Sequence, residues 1–170
     1  MYWNEGLRVY LGRDYEAWAT RELRAWAGAD AIVTQAVSWM MNKTPGPGNV
    51  LLAAKAREVH DAVKKYNGRD LPILPQWEVW MADKTLVAED RQEWVSARRS
   101  SDSRSTAAYN TFTVAADQAK VCKENGWVKV VVITFDLHMK RACMAYKALG
   151  LVPIHGPTIC EGYTDPVLVH

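Results

Sequence analysis

The chain has 170 residues, 49% of them apolar and 24% charged, which is enough for a single domain to bury a core without disulfide or metal staples. Its 21 Lys and Arg against 19 Asp and Glu leave a net charge of only +2, so composition gives no reason to expect a nucleic-acid partner. Cys122, Cys143 and Cys160 are odd in number, far apart and without a CxxC pair, which argues against a disulfide framework and a zinc site and for buried thiols in a reducing compartment.

Met1 to Gly12 is mixed polar and aromatic and lacks the basic start and apolar run of a signal peptide. No apolar stretch approaches the roughly 20 residues that span a bilayer, so a cytoplasmic location with no membrane partner is expected. Tyr15 to Trp26 reads as a helix with Trp18, Leu23 and Trp26 near one face and Gly28 as its stop. Asp30 to Val37 is a short apolar run, typical of a buried strand. Asn42 to Gly48 is rich in turn residues. Asn49 is suited to cap the next helix, whose Leu52, Ala56, Val59, Val63 and Tyr66 recur at helical spacing and end at Asn67-Gly68. Leu71 to Pro75 reads as a second strand, unusual for its prolines.

Glu89 to Ala97 has a weak helical pattern. Arg98 to Ser105 is the most polar stretch, and its Arg98, Arg99 and Arg104 read as a solvated loop rather than a phosphate-contacting patch. From about Thr106 to Glu124 a helix is expected, with Ala107, Thr111, Val114, Ala115, Val121 and Cys122 inward, the polar Gln118 interrupting that stripe, and Asn125-Gly126 as stop. Val128 to Thr134 is the clearest strand, β-branched and apolar on both faces. A helix from Met139 to Leu149 follows, with Ala142, Ala145, Tyr146 and Leu149 inward and Gly150 beyond it. Val152 to His155 begins a last strand. Strands alternate with helices, so the expected fold is α/β, a Rossmann-like three-layer sandwich around a mostly parallel sheet, spanning 1–170 as one domain. Among its consequences, Asp30–Val37 and Val128–Thr134 should be parallel neighbours or near neighbours.

In open parallel sheets ligands bind beyond the C-terminal strand ends. That rule selects the loops after Thr34-Gln35, after Leu74 to Gln76, and after Ile133-Thr134. The third carries the most chemistry: Thr134 leaves the strand, Asp136 is placed to cap the next helix, and His138 lies in its first turn. Arg141, three residues on, shares a helix face with His138. A helix N-terminus attracts anions, so the amides of Asp136 to Met139 should face the crevice, where the turn would hold a phosphate or carboxylate. Read as structure only, Asp136 is an N-cap, Arg141 a surface partner and His138 a satisfied core residue; as function, His138 is placed for acid–base work. His60 and His155 lie far from His138, so no metal is expected. A competing phosphate loop at Gly46-x-Gly48 lacks a third glycine, Leu51 standing in its place.

The segment Thr134-x-x-x-His138-Met139-x-Arg141-Ala142, after a β-branched strand and before Leu149-Gly150, resembles the YdcF/SanA/ElyC-like family, long called domain of unknown function 218. Its members carry a strand ending in Val-Thr-Ser and a His-Met-x-Arg-Ala helix start. Upstream they carry a Ser/Thr-rich stretch leading to an Asn, which Ser103 to Thr111 with Asn110 resembles. The resemblance covers roughly 30–154 and is strongest over 103–152. Three features depart from it. Gln35-Ala36-Val37-Ser38 and Pro75-Gln76-Trp77-Glu78 replace glycine-rich turns, Thr106 and Asn110 are four apart rather than three, and Phe135 replaces a small hydroxyl residue.

The resemblance implies a Rossmann-like fold, with S-adenosylmethionine binding in some members and envelope maintenance in others; this chain looks like the soluble YdcF-like branch. Three functions follow as expectations. The first is an enzyme, a transferase or hydrolase, acting on a nucleotide-like or phosphorylated metabolite. There His138 would be acid/base or anion ligand, Arg141 would hold negative charge, and Asn110, Thr134, Asp136, Gln35 and Gln76 would line the pocket. The second is a non-catalytic binder of S-adenosylmethionine or a similar metabolite. The third is a partner-binding, envelope-related protein. Eight tryptophans, among them Trp18, Trp26, Trp39, Trp77, Trp80 and Trp94, fit a core first and a pocket or a homo-oligomer interface second.

Overall fold

A computed structural model describes residues 13–36, 44–96 and 110–159. Within them the elements run α1 (Arg13–Ala27), β1 (Ala31–Thr34), α2 (Pro47–Asn67), β2 (Ile73–Leu74), α3 (Trp77–Ala82), two 3-10 turns (Lys84–Leu86 and Glu89–Trp94), α4 (Thr111–Glu124), β3 (Lys129–Ile133), α5 (Asp136–Ala148) and β4 (Val152–His155). The four strands form one parallel sheet in the order β2-β1-β3-β4. β1 and β3 are direct neighbours, Ala31 opposite Val130 and Thr34 opposite Ile133, as their two apolar runs predict.

Alternate strand residues serve opposite faces, which makes the three layers. Ile32, Ile73, Val131 and Ile133 pack with Leu52, Ala56, Val59 and Val63 of α2 and Val79 of α3. Ala31, Val33, Leu74, Val130 and Val132 pack with Ala115, Ala119 and Cys122 of α4 and Met139, Ala142, Cys143 and Tyr146 of α5. Cys122 and Cys143 are free and buried; burial, reinforced by the charge of Asp30, pushes the Cys122 thiol up to about 12. Cys160 lies outside the described residues. At the opposite strand ends Asp30 ties β1 to β3, its carboxylate accepting from the amides of Val128 and Lys129 at 2.9 Å each. No helix among the described residues is long and apolar enough to cross a membrane.

Several boundaries differ from the sequence pattern. α2 starts at Pro47 behind Gly46, so Asn49 is not the cap but a buried residue of the first turn; proline suits a first helical position, where no N–H is needed. Tyr66 is exposed, beyond Val63, the last buried residue of that stripe. β2 pairs only at Ile73 and Leu74, because Pro72 and Pro75 have no N–H for a longer ladder. Glu89–Trp94 is 3-10 rather than α-helical. α4 starts at Thr111; Thr106, Ala107 and the 98–105 loop lie outside the described residues, as do Trp39 and Val37.

Candidate functional site

α2 and α5, which follow β1 and β3, cover opposite faces of the sheet. The chain therefore diverges between β1 and β3, and their C-terminal ends flank the crevice where ligands bind in open parallel sheets. Pairing runs one residue past the strands: the Gln35 amide donates to Ile133 O at 3.1 Å, and the Thr134 hydroxyl to Gln35 O at 3.2 Å. Gln35 and Thr134 are thereby fixed side by side, both buried.

Three elements converge there. His138, in the first turn of α5, places Nε2 3.3 Å from Gln35 Oε1 and 3.2 Å from the Thr111 hydroxyl at the start of α4. Gln35 Nε2 donates to Tyr146 Oη at 3.1 Å and to Thr111 O at 3.1 Å. The Tyr146 hydroxyl donates to Gln118 Oε1, and Gln118 Nε2 donates to Thr34 O at 2.9 Å and Leu74 O at 2.8 Å. Gln35, Gln118 and Tyr146 are completely enclosed or nearly so, whereas His138 and Thr111 are half-buried, and the network reaches the surface through them.

Burial first, and then the positive charge of Arg141, hold the His138 imidazole below its ordinary pKa. It is neutral at physiological pH, with one nitrogen free to take a proton. Burial raises the Tyr146 hydroxyl well above its ordinary value, so it stays a proton donor. The chain matches no protein-family model, no curated protein and no solved structure. What the site can do follows from its own side chains: accept or deliver a proton at one neutral imidazole, beside a helix start and an exposed arginine.

The remaining sequence-selected residues divide. Gln76 joins the same edge by another route, its amide donating to Thr34 Oγ1 at 3.1 Å and its Oε1 accepting from the Ala36 amide at 2.7 Å. Thr134 is buried with its hydroxyl committed to Gln35 O. Arg141 is exposed and reaches His138 through charge. Asn110 is exposed and closes α4 in a capping box, its Oδ1 accepting from the amides of Phe112 and Thr113 at 2.9 and 3.0 Å. Asp136 does not cap α5; Phe135 holds that position, and the Asp136 carboxylate accepts from the Ile159 amide at 3.3 Å. Of the amides expected to face the crevice, those of His138 and Met139 bond back to Phe135 O at 2.9 and 3.0 Å, which leaves Asp136 and Leu137 to lead the helix.

Sequence reasoning missed the roles of Gln118, Tyr146 and Thr111. The one signal was a glutamine inside an apolar stripe: a buried amide needs partners, and Gln118 finds them on the backbone of two strands. A cavity of about 410 Å³ opens beside the start of β2, lined in part by Arg57, His60, Asp70, Trp94 and Trp127. Its charges are already engaged, Arg57 with Asp83 at 3.3 Å and Asp70 with Lys64 at 2.8 Å. Among the described residues no group of three or more His, Cys, Asp or Glu is placed to hold a metal ion.

Proposed function

We propose that this is a small-molecule-binding α/β protein, an enzyme of the transferase or hydrolase kind, acting on a nucleotide-like or phosphorylated metabolite at the edge between β1 and β3. The observation that carries this reading is the convergence of Gln35, beyond β1, and Thr111, at the start of α4, on the neutral His138 imidazole of α5 at the point where the chain diverges. A purely structural histidine does not require a relay of buried amides and a tyrosine behind it. His138 moves the proton, Arg141 and the leading amides of α5 draw the negative charge, and Gln35 and Gln76 shape the floor. The resemblance to the YdcF/SanA/ElyC-like family supports the same edge and suggests S-adenosylmethionine among its ligands.

Mass spectrometry of metabolites released from the denatured protein identifies what binds. Isotherms with adenosine monophosphate and with S-adenosylmethionine then test the site. His138→Ala removes a polar contact worth about 1.5–3 kcal/mol, or roughly ten- to a hundredfold in affinity. Turnover of the bound compound marks an enzyme, and binding without turnover a metabolite-binding protein. A His138→Ala variant that melts lower but binds unchanged would overturn this reading.

A further inference from the structure

We infer that the Gln118–Tyr146–Gln35 chain fixes His138 as its Nε2-protonated tautomer, so that Nδ1 is an acceptor and the ligand meets His138 through a protic group, a hydroxyl or amine, rather than an anionic oxygen. The ligand half of this inference rests on the reading that a nucleotide-like metabolite binds at this edge.

The direction of every hydrogen bond follows from its far end. Gln118 Nε2 faces two backbone carbonyls, Thr34 O and Leu74 O. Carbonyls only accept, so this end is the amide NH2 with both protons committed. Gln118 Oε1 must then accept, and the single Tyr146 proton goes to it. The Tyr146 oxygen in turn accepts from Gln35 Nε2. The second Gln35 proton goes to Thr111 O; turning this amide over would set two carbonyl oxygens against each other.

Gln35 Oε1 is thereby left facing His138 Nε2 at 3.3 Å. Only a protonated Nε2 avoids opposing two lone pairs there, and the Thr111 hydroxyl oxygen at 3.2 Å shares the same proton. Because the ring is neutral, Nδ1 carries the lone pair, and among the described residues it has no hydrogen-bond partner. A phosphate oxygen at Nδ1 would meet that lone pair and be repelled, whereas a ribose hydroxyl or an amine donates to it. The phosphate of the same ligand is left to Arg141 and the start of α5. Gln35, Tyr146 and Gln118 are positioning residues: they act through His138, by setting which of its nitrogens works.

Nitrogen NMR of the 15N-labelled full chain near pH 8 reads the tautomer directly, with His138→Gln identifying the His138 signals. The expected spectrum has Nε2 as a protonated, pyrrole-type nitrogen and Nδ1 as an unprotonated, pyridine-type one. A protonated Nδ1 in the free protein overturns the relay. Gln35→Leu removes the carbonyl oxygen that faces Nε2 and should shift His138 toward the tautomer mixture of an unconstrained imidazole; a lower melting temperature with the tautomer unmoved also overturns it. If that variant does not fold, the wild-type spectrum still decides. For the ligand half, adenosine monophosphate should move the Nδ1 signal while the ring stays neutral, and inorganic phosphate should not. Phosphate that draws a proton onto Nδ1 shows an anion site and overturns the protic contact. A spectrum unmoved by either compound overturns the nucleotide reading and the ligand half with it, while the tautomer is judged separately.

Discussion

His138 and Gln35 are 103 residues apart in the chain, yet Nε2 of one stands 3.3 Å from Oε1 of the other. The contact exists because β1 and β3 are neighbours and Gln35 is held by the backbone of β3. Anything that loosens the β1–β3 edge therefore reaches the imidazole.

Gln118 bridges the ends of β1 and β2 and anchors Tyr146. Gln118→Leu leaves two strand-end carbonyls and the Tyr146 hydroxyl without their partner in the interior. The expected loss is about 2–3 kcal/mol in urea unfolding, since buried polar groups without partners cost about 1–3 kcal/mol each and part of that relaxes. A variant as stable as the parent would show that the amide is not holding the edge.

His138 makes stability pH-dependent in a defined window. Its folded pKa lies below the unfolded value of 6.5, so on acidification the unfolded chain takes the proton first. The stability His138 contributes is present above pH 6.5 and is lost as pH falls from there through the folded pKa. Melting temperatures across that window should drop more for the parent than for His138→Gln. Equal slopes would contradict a depressed pKa.

Asp30 acts at the other end of the same strands. Burial by itself would raise its carboxyl, but the amides of Lys129 and Val128 and the charge of Arg69 outweigh this and hold it below 3.8. Its contribution is therefore present above that value and disappears as pH falls through the folded pKa. Asp30→Ala at neutral pH should cost about 1–2 kcal/mol, with water replacing part of the lost bonding. The difference from the parent should close in strong acid, which denaturant midpoints at neutral and low pH will check.

Gly156 follows β4 where the chain presses on β3. A Cβ there would lie 2.5 Å from Val132 O and 2.6 Å from Ile133 Cδ1, and the Gly156 amide already bonds Val132 O at 2.9 Å. Gly156→Ala should cost about 1–3 kcal/mol, the range for overpacking. Gly28→Ala is the control, because its Cβ would meet Ala25 O and Arg24 O at ordinary distances of 3.5 and 3.7 Å. Thermal melts in which the two variants match would contradict the close approach.

The sequence by itself determined the strands and their layer. The apolar runs Asp30–Val37 and Val128–Thr134, alternating with helical stripes, called for buried parallel strands, which form over Ala31–Thr34 and Lys129–Ile133, and the stripes of α2, α4 and α5 supply the covering faces. It also pointed to His138, Gln35 and Gln76, because a strand-end rule needs only element order. Which residues make the site was decided by tertiary structure. Thr111 and Tyr146 carry the same apolar-stripe spacing as their core neighbours, and nothing local separates a packing tyrosine from one whose hydroxyl meets two glutamines. Asn110, expected among the ligand-lining groups, has its side-chain oxygen engaged as the cap of α4, a role set by where that helix starts. Hydrogen-bond partners that lie 76 to 111 residues apart, as those of Gln35 do, leave no mark in any window of the chain; they are set only when β1 and β3 lie side by side and the helices beyond them close on the same edge.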